Sequence, residues 1–168
     1  MCGLFVAFER ARPVELDRAR HATSRLRHRG PDGTGEHHFS RSYQTGGESV
    51  AVAGFMGHTR LSILDPQARS GQPFQRGSRT LAYNGEIYNF RALRTELARA
   101  GAAFETDGDT EVLLALLARH GVGGLNQANG MWAFCLLDED TGQLTAARDR
   151  YGKKPLFYFV DAGTLCMA

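Results

Sequence analysis

The sequence predicts an α+β fold whose core is carried by largely antiparallel sheets. Three observations lead there. β-prone runs occupy both ends of the chain, from residue 4 onward and again from 131 to 167, while two helical periodicities fall together between 90 and 120; that grouping suits segregated strands and helices, not alternating βαβ units. Short glycine-bearing turns separate successive strand segments, as in hairpins. Several strand segments are apolar at consecutive positions, the pattern of sheets covered on both faces.

Taken in order, Leu4-Phe5-Val6-Ala7-Phe8 reads as a buried strand. Leu16, Ala19, Ala22 and Leu26 recur at helical spacing within 15–27, and Gly30-Pro31 ends that helix. Arg29 to Gly33 is then a turn. The β-rich segments 36–39 and 50–64 are separated by the hairpin signal Gly46-Gly47, and 81–83 forms a short strand closed by Asn84-Gly85. Helices are predicted over 90–99, stopped by Gly101, and over 110–120, stopped by Gly121, with Val112, Leu113, Leu116 and Leu117 as the apolar face and Asp109 as N-cap. Strands at 131–137, 143–148, 156–160 and 164–167 complete the chain, with turns at Asp138 to Gly142, Asp149 to Gly152 and Asp161 to Gly163.

The 168 residues suit one domain spanning 1–168, with no linker, repeat or low-complexity tract inside it. A net charge of +2 from 20 basic and 18 acidic residues gives no strong field toward nucleic acid or anionic lipid. Cys2, Cys135 and Cys166 are odd in number and lack CxxC spacing, which argues against a disulfide framework and a zinc site. His37 and His38 are strand neighbours on opposite faces, so no shared metal is expected, and metal ligands are predicted to be absent. With no leader-like or membrane-spanning apolar run, the expectation is a cytoplasmic protein that binds neither nucleic acid nor membrane.

The chemistry begins at Met1-Cys2-Gly3. If Met1 is removed, Cys2 carries a thiol and a free α-amine on one residue. An α-amine with a pKa of about 7.7–8.0 is a workable general base near neutrality, and a thiol of pKa about 8.5 is readily deprotonated by it. Asn84 and the backbone N–H of Gly85 could donate together to an oxyanion. The same dipeptide also reads as a type I′ hairpin turn, its commoner use.

Eight blocks then occur in order: Met1-Cys2-Gly3, Arg27 to Gly33, Gly57 to Asp65, Gly71-Gln72-Pro73-Phe74, Tyr83 to Asn89, Asp107 to Glu111, Asn129 to Phe134, and Arg148 to Leu156. Together they closely resemble the N-terminal glutaminase domain of glutamine-dependent asparagine synthetases, a class II glutamine amidotransferase of the N-terminal-nucleophile hydrolase superfamily. The resemblance implies a four-layer αββα sandwich of two mainly antiparallel sheets between helical layers. It implies hydrolysis of the side-chain amide of L-glutamine to glutamate and ammonia through a thioester on Cys2, with Asn84 and Gly85 holding the oxyanion. Arg60 would clamp the substrate α-carboxylate, Glu86 and Asp109 would hold its α-ammonium, and the backbone of Ile63 and Leu64 would line the pocket. Arg29, Gly30, Pro31 and Asp32 resemble a loop that orders over glutamine and excludes water.

In the family, a synthetase domain that uses ATP and Mg consumes the ammonia. No pyrophosphate-loop segment of that kind occurs here, so no cofactor is expected in this domain, and the ATP-dependent partner is expected in cis on a longer chain or in trans. The nitrogen acceptor, the removal of Met1 and the choice between monomer and homo-oligomer stay open. A non-catalytic domain of the same fold that binds an amino acid or a partner is the alternative reading. Cys135 and Cys166, set in apolar strands, are expected to behave as small hydrophobes.

Overall fold

A computed structural model describes residues 1–168. Nine strands form two antiparallel sheets. The first sheet has the order β2-β3-β1-β9-β8, built from β1 (Gly3–Arg10), β2 (Gly33–Thr45), β3 (Glu48–Arg60), β8 (Tyr158–Asp161) and β9 (Thr164–Met167). The second has the order β4-β5-β6-β7, from β4 (Phe74–Arg76), β5 (Arg79–Ile87), β6 (Gly130–Asp138) and β7 (Gln143–Arg148). Helix α1 (Leu16–Ser24) lies over β1 and β3, while α2 (Phe90–Arg99) and α3 (Asp109–His120) cover the outer face of the second sheet. The result is the four-layer αββα sandwich.

Side-chain alternation along the strands builds two cores. Between the sheets, Leu4, Val6 and Phe8 of β1 meet Met56, Ala82, Cys135 and Leu137. The opposite face of the second sheet turns Leu81, Tyr83, Ile87, Trp132, Phe134 and Leu136 toward Leu93, Leu97 and the buried stripe of α3. Residues 81–83 of β5 and 132–137 of β6 face the two cores in alternation, which is why those stretches read as apolar runs.

Helix α1 sits close to its sheet because Gly57 leaves room: a Cβ there would lie 2.1 Å from Thr23 Oγ1. The β2–β3 hairpin turns at Gly46 and Gly47, with φ of 61° and 85°, the left-handed region that a type I′ turn requires. No helix is long and apolar enough to cross a membrane.

The structure corrects several boundaries. Asn84-Gly85 does not close a strand; β5 runs on to Ile87, with Asn84 opposite Ala133 and Gly85 opposite Trp132. Local turn propensity is overridden by pairing to β6, which arrives only after both helices. Strand β3 stops at Arg60 and not at residue 64, because the chain then wraps around the Arg60 side chain. Asp109 is the first residue of α3 and not its cap, since its carboxylate is committed elsewhere. The last hairpin is not covered: Tyr158, Phe159 and Val160 of β8 are exposed, because β8 lies beyond β9 at the sheet edge while α1 covers only β1 and β3. The short strand β4 and the 3₁₀ turns at Ala68–Ser70 and Gly121–Gln127 went unpredicted, being too short for a period to register.

Candidate active site

The alternation that builds the inter-sheet core also assembles the site. Extending the core-facing positions to the strand ends leads from Leu4 back to Cys2, from Met56 through His58 to Arg60, and from Ala82 through Asn84 to Glu86. The end residues Cys2, Arg60 and Glu86, together with Asn84, line one cavity of about 110 Å³. Gly85, Asp109, Ile63 and Leu64 line it too, so the expected thiol, oxyanion donors and substrate anchors come together in a single pocket. The site is the polar end of an apolar seam.

Cys2 is partly exposed, and its Sγ accepts the Leu61 N–H at 3.4 Å. The other two thiols differ in kind. Cys135 is fully buried and its pKa is pushed up to about 12 by burial; Cys166 is raised as well, first by burial and then by Glu9. Neither is suited to act as a nucleophile.

Asn84 is 5% exposed and fixed within a paired strand. Gly85 is required there by close approach: a Cβ would lie 2.5 Å from Met131 O and 2.7 Å from Trp132 Cα, inside van der Waals contact with backbone.

Arg60 holds the turn after β3. Its guanidinium donates to the carbonyls of Gln67 at 3.1 Å, Leu64 at 3.2 Å and Asp65 at 2.5 Å. These bonds curl residues 61–67 around the cation and bring Ile63 and Leu64 to the cavity wall, although the Ile63 side chain itself is exposed. Nε and one terminal N–H of Arg60 remain for a ligand.

Asp109, at the start of α3, is buried, and its Oδ2 accepts from the Tyr83 hydroxyl at 2.7 Å and the Ile87 N–H at 2.9 Å. Burial raises its pKa above 3.8, against the Ile87 and Tyr83 hydrogen bonds that hold it down. Asp107, two residues earlier, pairs instead with Arg69 at 2.7 Å on the surface.

The segment from Arg29 to Asp32 is tied to the same end of the molecule. Arg29 Nε donates to the Cys2 carbonyl at 3.1 Å, Ser62 N–H donates to Asp32 Oδ2 at 2.8 Å, and Asp32 N–H donates to Arg60 O at 3.0 Å. Gly30 is pressed against the Thr59–Arg60 peptide, where a Cβ would lie 2.3 Å from Thr59 O. Arg29 reaches a second cavity of about 130 Å³ beside Cys2, walled by Leu4, Leu26, Pro155 and Phe157.

Sequence reasoning missed several lining groups. Gln72 accepts the Tyr83 N–H at 2.7 Å through Oε1, and Thr106, Thr110 and Lys154 also face the cavity. Gln72 and Lys154 sit inside quoted blocks, and burial was the signal that could not be read from them.

Cys2 thus precedes a central strand at the mouth of a two-sheet sandwich flanked by helices, the layered fold of the N-terminal-nucleophile type. The chain belongs to the glutamine amidotransferase domain family, whose profile matches residues 1–168. A putative glutamine-hydrolyzing asparagine synthetase of Mycobacterium tuberculosis (H37Rv) is 42% identical in an alignment covering 100% of this chain and 27% of the relative. Glutamine-hydrolyzing asparagine synthetase 3 of Arabidopsis thaliana is 36% identical over 94% of this chain and 25% of its own length. Among solved structures, the glutamine phosphoribosylpyrophosphate amidotransferase of B. subtilis superposes with a TM-score of 0.68 at 22% identity, covering 98% of this chain and 41% of that one. The chain thus spans about a quarter of these curated relatives.

Proposed function

We propose that this chain hydrolyses L-glutamine to L-glutamate and ammonia at Cys2, and that the ammonia is delivered to an ATP-dependent, Mg-using synthetase for amide formation of the asparagine synthetase type. The observation that carries the reading is the convergence of Cys2, Asn84, Gly85, Arg60, Glu86 and Asp109 on one cavity. No cofactor is assigned to this domain. The synthetase, in cis or in trans, is the partner, and a cytoplasmic setting accords with three free thiols.

Glutamine is gripped at its charged end. Its α-carboxylate pairs with Arg60, whose fork is pre-set by three carbonyls, and its α-ammonium meets Glu86 and the free Oδ1 of Asp109. The side-chain amide then points at Cys2. Met1 lines this cavity, so its removal both clears space and frees the α-amine of Cys2.

The amine takes the thiol proton as Sγ bonds to the amide carbon, and the carbonyl oxygen becomes an oxyanion held by Asn84 and the Gly85 N–H. Collapse breaks the C–N bond, with the proton returned to the departing nitrogen, and ammonia leaves. Water, deprotonated by the same amine, then adds to the thioester carbon; the S–C bond breaks, Sγ recovers a proton, and glutamate forms. The apolar cavity beside Cys2, bounded by Leu26, Pro155 and Phe157, offers ammonia a route separate from the glutamine entrance. Arg29 lines that route and limits water there.

The test is intact mass before and after exposure to a diazo-ketone glutamine analogue, alongside glutamate release from glutamine. Loss of Met1, one adduct that disappears in Cys2→Ala, and glutamate release that disappears with it are expected. A retained Met1 with no adduct and no glutamate would overturn the reading in favour of a binding domain.

A further inference from the structure

Lys154 is 3% exposed, yet its ammonium has no carboxylate partner. The only side-chain group at hydrogen-bond distance from Nζ is Met1 Sδ, at 2.7 Å. A buried cation without a counter-ion is strongly unfavourable in general, so its retention calls for a use. The loop that presents it is firmly built. Asp149, 5% exposed, accepts the N–H groups of Trp132 at 3.2 Å, Tyr151 and Lys153 at 3.0 Å, and Lys154 at 2.9 Å. Burial alone would raise the Asp149 pKa; these four bonds hold it below 3.8. The turn after β7 is thereby locked to β6 with Lys154 aimed into the cavity that holds Cys2 and Glu86.

We propose that Lys154 is an electrostatic positioning residue for Cys2: its ammonium favours the thiolate over the thiol and, once Met1 is gone, keeps the new α-amine unprotonated near neutral pH. The second half rests on the reading of Cys2 as an N-terminal nucleophile. Other charges share the field. Arg29, on the Cys2 carbonyl, and Arg60, at the end of β3, act in the same sense as Lys154; Glu86 on β5 and Asp109 on α3 act against it, and Tyr83 remains neutral, its pKa raised well above 10 by burial and then by Asp109. Of the three cations, Arg29 and Arg60 already donate to backbone carbonyls. Lys154 alone is left without an oxygen acceptor, and its charge is therefore the least neutralised. Burial and then Arg29 pull its own pKa below 10.5, against Cys2, Asp149 and Glu86, and its side chain lines the same cavity as the thiol.

The experiment measures the pH dependence of Cys2 alkylation by iodoacetamide, resolved from Cys135 and Cys166 by peptide mass, in the wild type and in Lys154→Met, Lys154→Gln and Lys154→Arg. Both neutral variants should move the midpoint upward by about one pH unit, a roughly tenfold loss of thiolate at neutral pH, and Lys154→Arg should restore it. The Lys154→Met protein should melt at or above the wild-type temperature, because an unpaired buried charge has been replaced by an apolar chain of similar length. An unmoved midpoint in the neutral variants, with or without a lower melting temperature, assigns Lys154 to structure alone and overturns the proposal. Glutamate release is read on the same samples. A wild type that is alkylated but makes no glutamate defeats the glutaminase reading, while the midpoints still decide the role of Lys154.

Discussion

Asp109 Oδ2 accepts the Tyr83 hydroxyl and the Ile87 N–H together, at 2.7 and 2.9 Å, joining the first turn of α3 to the strand that carries Asn84, Gly85 and Glu86. One oxygen thus fixes helix to strand while the other stays available to a ligand ammonium. Asp109→Asn keeps the shape and removes the charge, so the KM for glutamine should rise about 10- to 100-fold, in line with about 1.5–3 kcal/mol for a hydrogen bond to a charged group. The turnover number should change far less. Because the Asp109 pKa is raised, wild-type KM should also rise as pH falls through the acid range, and Asp109→Asn should flatten that dependence. Steady-state kinetics from pH 4.5 to 8 check both; a variant that loses turnover and keeps KM contradicts the assignment.

Asn84 and Gly85 should show the opposite division. Asn84→Ala removes one donor at the position proposed for the oxyanion, and turnover should drop about 10²–10³-fold with little change in KM. Gly85→Ala places a methyl against Met131 O and Trp132 Cα, forcing β5 and β6 apart. It should lower stability by about 1–3 kcal/mol as well as turnover. Urea unfolding combined with single-turnover kinetics separates the two effects, and a Gly85→Ala protein with wild-type stability would show that the strands are not closed at that point.

The sandwich was legible in the sequence because its cores are written twice: residues 81–83 of β5 and 131–137 of β6 are runs of apolar side chains, and α2 and α3 carry helical stripes of leucine. The site was legible through ordered short blocks, and the alternation of β1, β3 and β5 explains why Cys2, Arg60, Asn84 and Glu86 converge although they are far apart in the chain. What could not be read depends on pairing over long separations. Asn84-Gly85 has the local chemistry of a turn, and only β6, whose partners Ala133 and Trp132 come 49 and 47 residues later in the chain, makes it strand. Leu61 to Leu64 looks like a continued strand until the Arg60 side chain curls it back. Lys154 reads as an ordinary surface lysine, since nothing local reveals that the Asp149 cradle turns it inward.

His58 gives the fold an acid-labile joint. It is fully buried between the sheets, and its Nε2–H donates to Tyr83 O at 2.9 Å. Burial, opposed by that bond and aided by Arg60, lowers its pKa from 6.5 to about 4. The folded state therefore holds a neutral ring. Above pH 6.5 both states are neutral and His58 makes no pH-dependent contribution; as pH falls from 6.5 to about 4 only the unfolded chain takes up the proton, and stability declines by about 3 kcal/mol in all from this group. His58→Gln keeps a donor for Tyr83 O without a titrating ring. The wild-type minus variant stability, measured by urea unfolding at pH 7 and pH 4, should fall by about that amount, and parallel curves would exclude the role.

Glu111 is the buried carboxylate on which the rim of the Cys2 cavity depends. Its side chain is 1% exposed and pairs with Arg76 of β4 at 2.6 Å. It also accepts the Glu105 N–H at 3.0 and 3.1 Å, the Thr106 N–H at 2.8 Å and the Thr106 hydroxyl at 2.8 Å. Four groups converge on two oxygens, so the segment entering α3 is shaped by this one residue, and that segment brings Thr106, Gly108 and Asp109 to the cavity. Glu111→Ala strands Arg76 and three donors of residues 105 and 106 at once, and should destabilise the fold by about 3–5 kcal/mol, the range for breaking a buried pair. Thr106→Val removes only the hydroxyl bond and should lower stability by about 1 kcal/mol. If the rim depends on Glu111 as argued, Glu111→Gln, which keeps the shape but turns an N–H₂ toward two backbone donors, should raise the KM for glutamine even where the protein remains folded. Equal KM values for Glu111→Gln and wild type, with normal unfolding curves, would show that the segment holds its form without the carboxylate.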